Sequence, residues 1–294
     1  MFSPIAIGAV GGSGTRVIAQ ILSQAGVYLG QDLNGANDNL WFTFFLKRPE
    51  WMAHFPDATQ ITRALSLFAR ASTTGLHGTL TPPDTQLIRQ IQRELARSPR
   101  EMGVAPERAE YIMNSTRAPL SRGGLWGWKE PNTHIFLPQM AQAFPRMKYI
   151  HVIRNGFDMA FSGNTQQARN WSGKITGTPL PDGPISPDEL LTYWIAANQQ
   201  ALMHGRALLG DRFHVVNYED LCDAPKDTLG QLFDFLGLPC PLPHMVAAIK
   251  PSSQGRHKQR DLQIFSDHQR YAANALMASL HTASDATPRQ HHMR

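Results

Sequence analysis

Residues 5–22 read IAIGAVGGSGTRVIAQIL, and this stretch decides the fold. The apolar run from Ile5 to Val10 stops at Gly11-Gly12-Ser13-Gly14-Thr15. Apolar residues resume at Val17, Ile18, Ile21 and Leu22, the spacing of one helix face, and Gly26 closes the pattern. The order is therefore buried strand, small-residue loop, helix. Such a loop aims several backbone N–H groups at one point, and the helix N-terminus adds partial positive charge. Together they cradle phosphate or sulfate. Arg16, directly after the loop, adds a cation. The same small residues also suit a plain tight turn, so the loop alone does not choose.

Two familiar nucleotide loops match poorly. A triphosphate loop needs G-x-x-x-x-G-K-[ST], and no lysine precedes Thr15. A Rossmann loop needs a third glycine where Val17 stands. The loop asks for a phosphate-like anion held without the standard lysine.

Working outward, the alternation continues. GLWGWKEP (124–131) reads as a strand ended by Pro131. MKYIHVIR (147–154) is a β-rich run stopped by Asn155-Gly156, and a helix with Asp158, Phe161 and Ser162 should follow. RFHVVNY (212–218) is a further strand. Residues 57–71, 84–98, 188–208 and 225–237 have helical spacing. Strands alternating with helices predict an α/β fold, a three-layer α/β/α arrangement with a central, mainly parallel sheet. No composition break divides the chain, so residues 1–283 are expected to form a single domain. Residues 284–294 are expected to form a disordered tail, with fraying from His281 onward. Residues 172–187, rich in Gly, Pro and Ser, read as a long surface loop and candidate lid.

Composition narrows the function classes. The chain has 294 residues, enough for a sizeable core, with 42% hydrophobic and 17% charged residues, ordinary for a soluble globular protein. The net charge of +5 suits a phosphate-bearing ligand. The densest basic cluster is GRHKQR (255–260), too short for a nucleic-acid arm, so no nucleic acid is expected as a partner. Cys222 and Cys240 have no metal-like spacing, which argues against a disulfide framework and for a reducing, cytoplasmic location. No apolar run is long enough for a membrane span, and the N-terminus reads as the first strand rather than a signal peptide.

A second anion-binding segment is YIHVIRNGFDMAFS (149–162). Arg154 stands at the carboxyl end of a strand, where α/β sheets bind ligands, and Ser162 follows eight residues later. An arginine fork and a hydroxyl suit a dianionic phosphate. A surface arginine and a helix-facing serine would also explain them singly. Asn155 is placed to cap the helix, with Asp158 as a capping partner.

With these segments in hand, the chain resembles the sulfotransferases that use 3′-phosphoadenosine 5′-phosphosulfate (PAPS). Arg154, Asp158 and Ser162 resemble the R-x-x-x-D-x-x-x-S signature of that family. VVNYEDLCDAPKDTLGQLFDFLGLP (215–239) resembles its Y-E-D-L segment and F-L-G-L helix end. GWKEP (127–131) resembles the K-D-P or K-E-P segment of tyrosylprotein and some bacterial members, and GGSGTR (11–16) resembles the 5′-phosphosulfate loop of heparan-type enzymes. The segments occur in family order from residue 11 to residue 239.

The resemblance implies roles. PAPS would place its 5′-phosphosulfate on Gly11, Gly12, Ser13, Gly14, Thr15 and Arg16, and its 3′-phosphate near Arg154 and Ser162. Tyr218 of the Y-E-D-L segment joins this cofactor site. SSQGRHKQR (252–260) is similar to the C-terminal basic loop of the family, with Arg256 and Lys258 as ligands, though a solvated basic loop reads the same. No metal is implied. The family's loop usually carries Lys or Arg where Gly12 stands, so Lys129 or Arg16 must supply that charge, and Lys129 is favoured. An ion pair with Glu130 is the other reading of Lys129. Asp32, in YLGQDLN, is the implied base, against a loop aspartate that caps a turn; His134 competes for the role. Trp41, Phe42, Phe44, Phe45 and Trp51 could line an acceptor pocket or fill the core.

The expected activity is sulfuryl transfer from PAPS to a hydroxyl or amine of a small-molecule, carbohydrate or peptide acceptor, leaving adenosine 3′,5′-bisphosphate (PAP). A P-loop small-molecule kinase and a catalytically inactive PAP-binding relative are the alternatives.

Overall fold

A computed structural model describes residues 3–53, 57–97, 103–118, 120, 124–239, 243–247, 249 and 254–284. Strands β1 (Ile5–Ala9), β2 (Gly127–Lys129), β3 (Lys148–Ile153) and β4 (Phe213–Asn217) form one sheet in the order β2-β1-β3-β4. Every pairing in it is parallel; Ile7 lies opposite Lys129 on one side and Ile150 on the other. A parallel sheet must be covered on both faces, which is why β1 is apolar and buried along its whole length.

Alternate side chains feed the two faces. Ile7, Ile150, Val152 and Val216 pack with Ile18 and Leu22 of helix α1 (Thr15–Gln24) and with Leu229 and Phe233 of the helix Pro225–Leu236. Ala6, Trp128, Tyr149 and Ile153 pack on the opposite face with Phe42, Phe68, Leu137 and Trp194. This is the expected three-layer α/β/α arrangement. The aromatic cluster belongs to it: Trp41, Phe42, Phe44 and Phe45 lie on the helix Leu40–Leu46 and are at most 1% exposed. They are core. Trp51 is half-buried under the Arg48 guanidinium, 4.2 Å from its ring centroid.

The structure departs from the expected boundaries in three places. The helix after β3 spans only Gly156–Ala160, with Phe161 as its C-cap, so Ser162 lies beyond it. The stretch 172–187 is not one loop. The helix Gln166–Thr176 runs into it and ends at Gly177 (φ 80°), because burial of Ala168, Trp171 and Ser172 outweighs the loop-like composition. Finally, the helix Asp267–Ser284 continues through His281, its Ala273, Leu276 and Leu280 buried in the core. The rest of the expected tail, Cys240, and Ser252 and Ser253 lie outside the described residues. No helix among the described residues is long and apolar enough to cross a membrane.

Candidate active site

The strand order creates a crevice. β2 lies to one side of β1 and β3 to the other, so the connections leaving β1 and β3 diverge above the sheet's carboxyl edge. Open α/β sheets bind ligands at such a switch point. The glycine loop leaves β1 there, and Arg154 leaves β3 there.

The loop is held in an open shape. Gly12 and Gly14 have φ of 97° and 93°, conformations that side chains disfavour. A Cβ on Gly14 would also sit 2.4 Å from the Tyr218 ring. Ser13 folds the loop back by donating from its N–H (3.2 Å) and its Oγ (2.7 Å) to the Val10 carbonyl. The Gly11 N–H turns inward, donating to Gln167 Oε1 at 2.8 Å. The N–H groups of Gly12, Gly14, Thr15 and Arg16 make no hydrogen bond among the described residues. For those in the first turn of α1, helix geometry provides no acceptor. Gly12 and Arg16 are exposed, while Ser13 and Thr15 are buried.

Arg154 stands against this loop. Its Nη1 is 3.5 Å from the Gly12 carbonyl, its Nη2 is 3.4 Å from Asp158 Oδ2, and its guanidinium lies over the Tyr218 ring at 5.2 Å. Tyr218 thus touches both Gly14 and Arg154. Asn155 and Asn217 cap the helices that follow β3 and β4, which fixes how those strands end.

Asp158 draws in the C-terminal basic segment. It accepts from the N–H groups of Gly255 (2.8 Å) and His257 (2.9 Å) and pairs with His257 Nδ1 at 2.7 Å. Burial pushes its carboxyl up, but these hydrogen bonds together outweigh burial and hold it below the usual carboxylate range. The 3₁₀ turn Arg256–Gln259 is pinned beside Arg154, with Arg256 and Lys258 exposed on it. Ser162 is half-buried, and its Oγ accepts from the Asn164 N–H at 3.1 Å. Asn164 itself lies over the loop: a Cβ on Gly11 would meet its Nδ2 at 3.2 Å.

On the other flank, Lys129 ends β2 and is 3% exposed. Its ammonium pairs with Asp38 and donates to the Ala36 carbonyl at 3.2 Å. The partner is therefore Asp38 rather than Glu130. The turn 34–38 that supplies it is organised by Asn34 Oδ1, which accepts from the N–H groups of Ala36 and Asp38. Glu130 instead caps the next turn, accepting from the N–H (2.6 Å) and side chain (2.8 Å) of Asn132. Burial pushes its carboxyl up to about 6, against the pull of Lys47. Asp32 receives the Arg108 guanidinium on both carboxylate oxygens.

His134 is buried, and burial together with the neighbouring His151 holds its pKa well below the ordinary value. Its Nε2 lies 3.3 Å from Gln167 Nε2. His151 lies in a buried chain with Tyr149 (2.8 Å) and Asn198 (3.0 Å). Because Asn198 Nδ2 donates to the Trp194 carbonyl, its oxygen faces His151, so the His151 proton is on Nε2.

Gln167, Asp38, Arg108 and Asn164 were missed by sequence reasoning. Only the turn-forming run around Asn34 and Asp38 carried a local signal; the others announce nothing in their own neighbourhoods. Among the described residues, no group of His, Cys, Asp and Glu is placed to hold a metal ion.

The family model described as "Sulfotransferase family" matches residues 4–242, most of the chain and all of the elements above except the C-terminal turn and helix. The chain belongs to the sulfotransferase family. A search of curated proteins finds no match. Among solved structures, this sulfotransferase-family chain is similar to a sulfotransferase from Alicyclobacillus acidocaldarius (15% identity, 96% of each chain, TM-score 0.48). It is also similar to the sulfotransferase domain of the Synechococcus PCC 7002 olefin synthase (15% identity, 98% of each chain, TM-score 0.46). A third is the sulfotransferase domain from the curacin biosynthetic pathway (17% identity, 87% of this chain and 82% of that one, TM-score 0.45).

Proposed function

We propose that this chain transfers the sulfuryl group of PAPS to a hydroxyl or amine. The observation that carries the reading is the open-amide loop at the switch point, in a chain of the sulfotransferase family. The residues present fit such a donor: the N–H groups of Gly12, Gly14, Thr15 and Arg16 have no acceptor among the described residues, so an anion would meet no competitor there, and the missing Cβ of Gly14 lets the Tyr218 ring pack against the loop. PAPS supplies an activated sulfuryl group and a nucleotide phosphate as leaving group.

The chain's own residues then divide the work. The amides of Gly12, Gly14, Thr15 and Arg16 hold the 5′ end. Arg154 and Ser162 hold the 3′-phosphate, with Arg256 and Lys258 closing from the segment latched to Asp158. Charge develops on the departing phosphate oxygen, so a fixed cation there lowers the barrier. Lys129 is assigned to it, and its pairing with Asp38 sets the ammonium's position before substrate arrives. A carboxylate of the 30–39 loop takes the acceptor proton. Asp32→Asn tests the first candidate by loss of kcat with PAP affinity intact; Asp38→Asn also frees Lys129, so it identifies Asp38 as the base only if kcat falls further than in Lys129→Ala.

Calorimetry with PAP, AMP and ATP tests the reading. PAP is expected to bind far more tightly than AMP, since charge-assisted contacts to the 3′-phosphate contribute roughly 1.5–3 kcal/mol each. Tighter binding of ATP with magnesium would support a kinase instead. Transfer of label from PAPS, unaffected by EDTA, separates an enzyme from an inactive PAP-binding protein.

A further inference from the structure

Gln167 is 6% exposed on the first turn of the helix Gln166–Thr176, and its carboxamide is fully used. Oε1 accepts from Gly11 N–H at 2.8 Å. Nε2 donates to the carbonyl of Ala9, the last residue of β1, at 3.2 Å and lies 3.3 Å from His134 Nε2. The amide cannot be reversed. Turned round, it would set its oxygen against the Ala9 carbonyl and its NH₂ against the Gly11 N–H. Two backbone groups of opposite polarity therefore fix its direction, and His134 Nε2 must be the acceptor. His134 then carries its proton on Nδ1, so its Nε2 is already engaged and no free base remains there.

One side chain thus ties the end of the strand to the first residue of the loop, from 156 positions away. Resting on the PAPS reading, we infer that Gln167 is the positioning residue of the anion loop. It touches no anion. It withdraws the Gly11 amide and so sets the direction in which the amides from Gly12 to Arg16 point. A residue with that task matters for a 5′-phosphate on the loop. It is indifferent to a 3′-phosphate held by Arg154 and Ser162, whereas general structural support would affect both.

The test is calorimetry on wild type and Gln167→Met with two probes, PAP and adenosine 3′-monophosphate, which lacks the 5′-phosphate. Gln167→Met keeps the length and removes the hydrogen bonds. It is expected to weaken PAP roughly tenfold or more and to leave adenosine 3′-monophosphate within about twofold. Gln167→Glu keeps an acceptor for Gly11 but turns a negative oxygen toward the Ala9 carbonyl. It is expected to weaken PAP further, and it carries the same comparison if Gln167→Met does not fold. Unchanged PAP affinity in the variants overturns the inference, and so does equal weakening of both probes. Failure of wild type to bind PAP at all overturns the cofactor reading and this inference with it; wild-type binding with unaffected variants overturns this inference alone.

Discussion

Replacing Asp158 by asparagine should release the C-terminal basic segment while leaving the core folded. In the structure, Oδ1 accepts from the N–H and Nδ1 of His257, and Oδ2 accepts from the Gly255 N–H and approaches Arg154. An asparagine keeps one oxygen. Its best placement faces that oxygen to Gly255 and Arg154 and leaves its NH₂ toward His257 Nδ1. The His257 N–H then loses its acceptor, at about 1–3 kcal/mol, and the surviving bonds lose their charge assistance, at about 1 kcal/mol more. The sum of about 2–4 kcal/mol falls on the 254–260 segment, which opens before the rest of the molecule. Hydrogen exchange reads this directly: protection at Gly255 and His257 should fall by roughly 30- to 1,000-fold, while β1 and β3 amides stay protected. PAP affinity should fall too, since Arg256 and Lys258 lose their anchor. Exchange within about threefold of wild type at both amides would refute the latch, because hydrogen bonds of this strength cannot be removed without that cost.

Gly14→Ala should abolish PAP binding and cost about 2 kcal/mol or more in a urea melt, since it combines a disfavoured φ with a collision at the Tyr218 ring. A variant that binds PAP normally would show that the loop does not hold the 5′ end. Lys129→Ala should lower kcat by roughly 10²–10³ with PAP affinity nearly unchanged; turnover at the wild-type rate would pass the role to Arg16. Acid should destabilise the fold through its buried histidines. Burial lowers His151 to about 4, below its unfolded value, so its contribution is intact above the unfolded pKa and is lost as pH falls toward 4. Between pH 7 and 5 this amounts to about 2 kcal/mol, and His151→Gln should shrink the drop in urea melts by that amount. An unchanged difference in the variant would mean that His151 is not the group responsible.

What the sequence determined by itself was local. The run IAIGAVGGSGTRVIAQIL specified strand, loop and helix, because burial period, glycine conformation and helix spacing are all set within a few residues. Arg154 at a strand end and Asn155 as a cap were legible for the same reason, and so was the alternation that makes the sheet parallel. Helix ends were less so: Gln166–Thr176 persists through a Gly/Ser-rich stretch only because Trp171 finds the core. What the tertiary structure decided were the partners of charged and polar groups. Arg108 reaches Asp32 from 76 positions away, Asp38 reaches Lys129 across 91, and Gln167 reaches Gly11 across 156. Nothing in a local window encodes such pairs. They follow from strand order, which brings the ends of β1, β2 and β3 to one edge. There a lysine whose expected carboxylate was its neighbour Glu130 turns out to be held by Asp38, and an unremarked glutamine turns out to grip the loop.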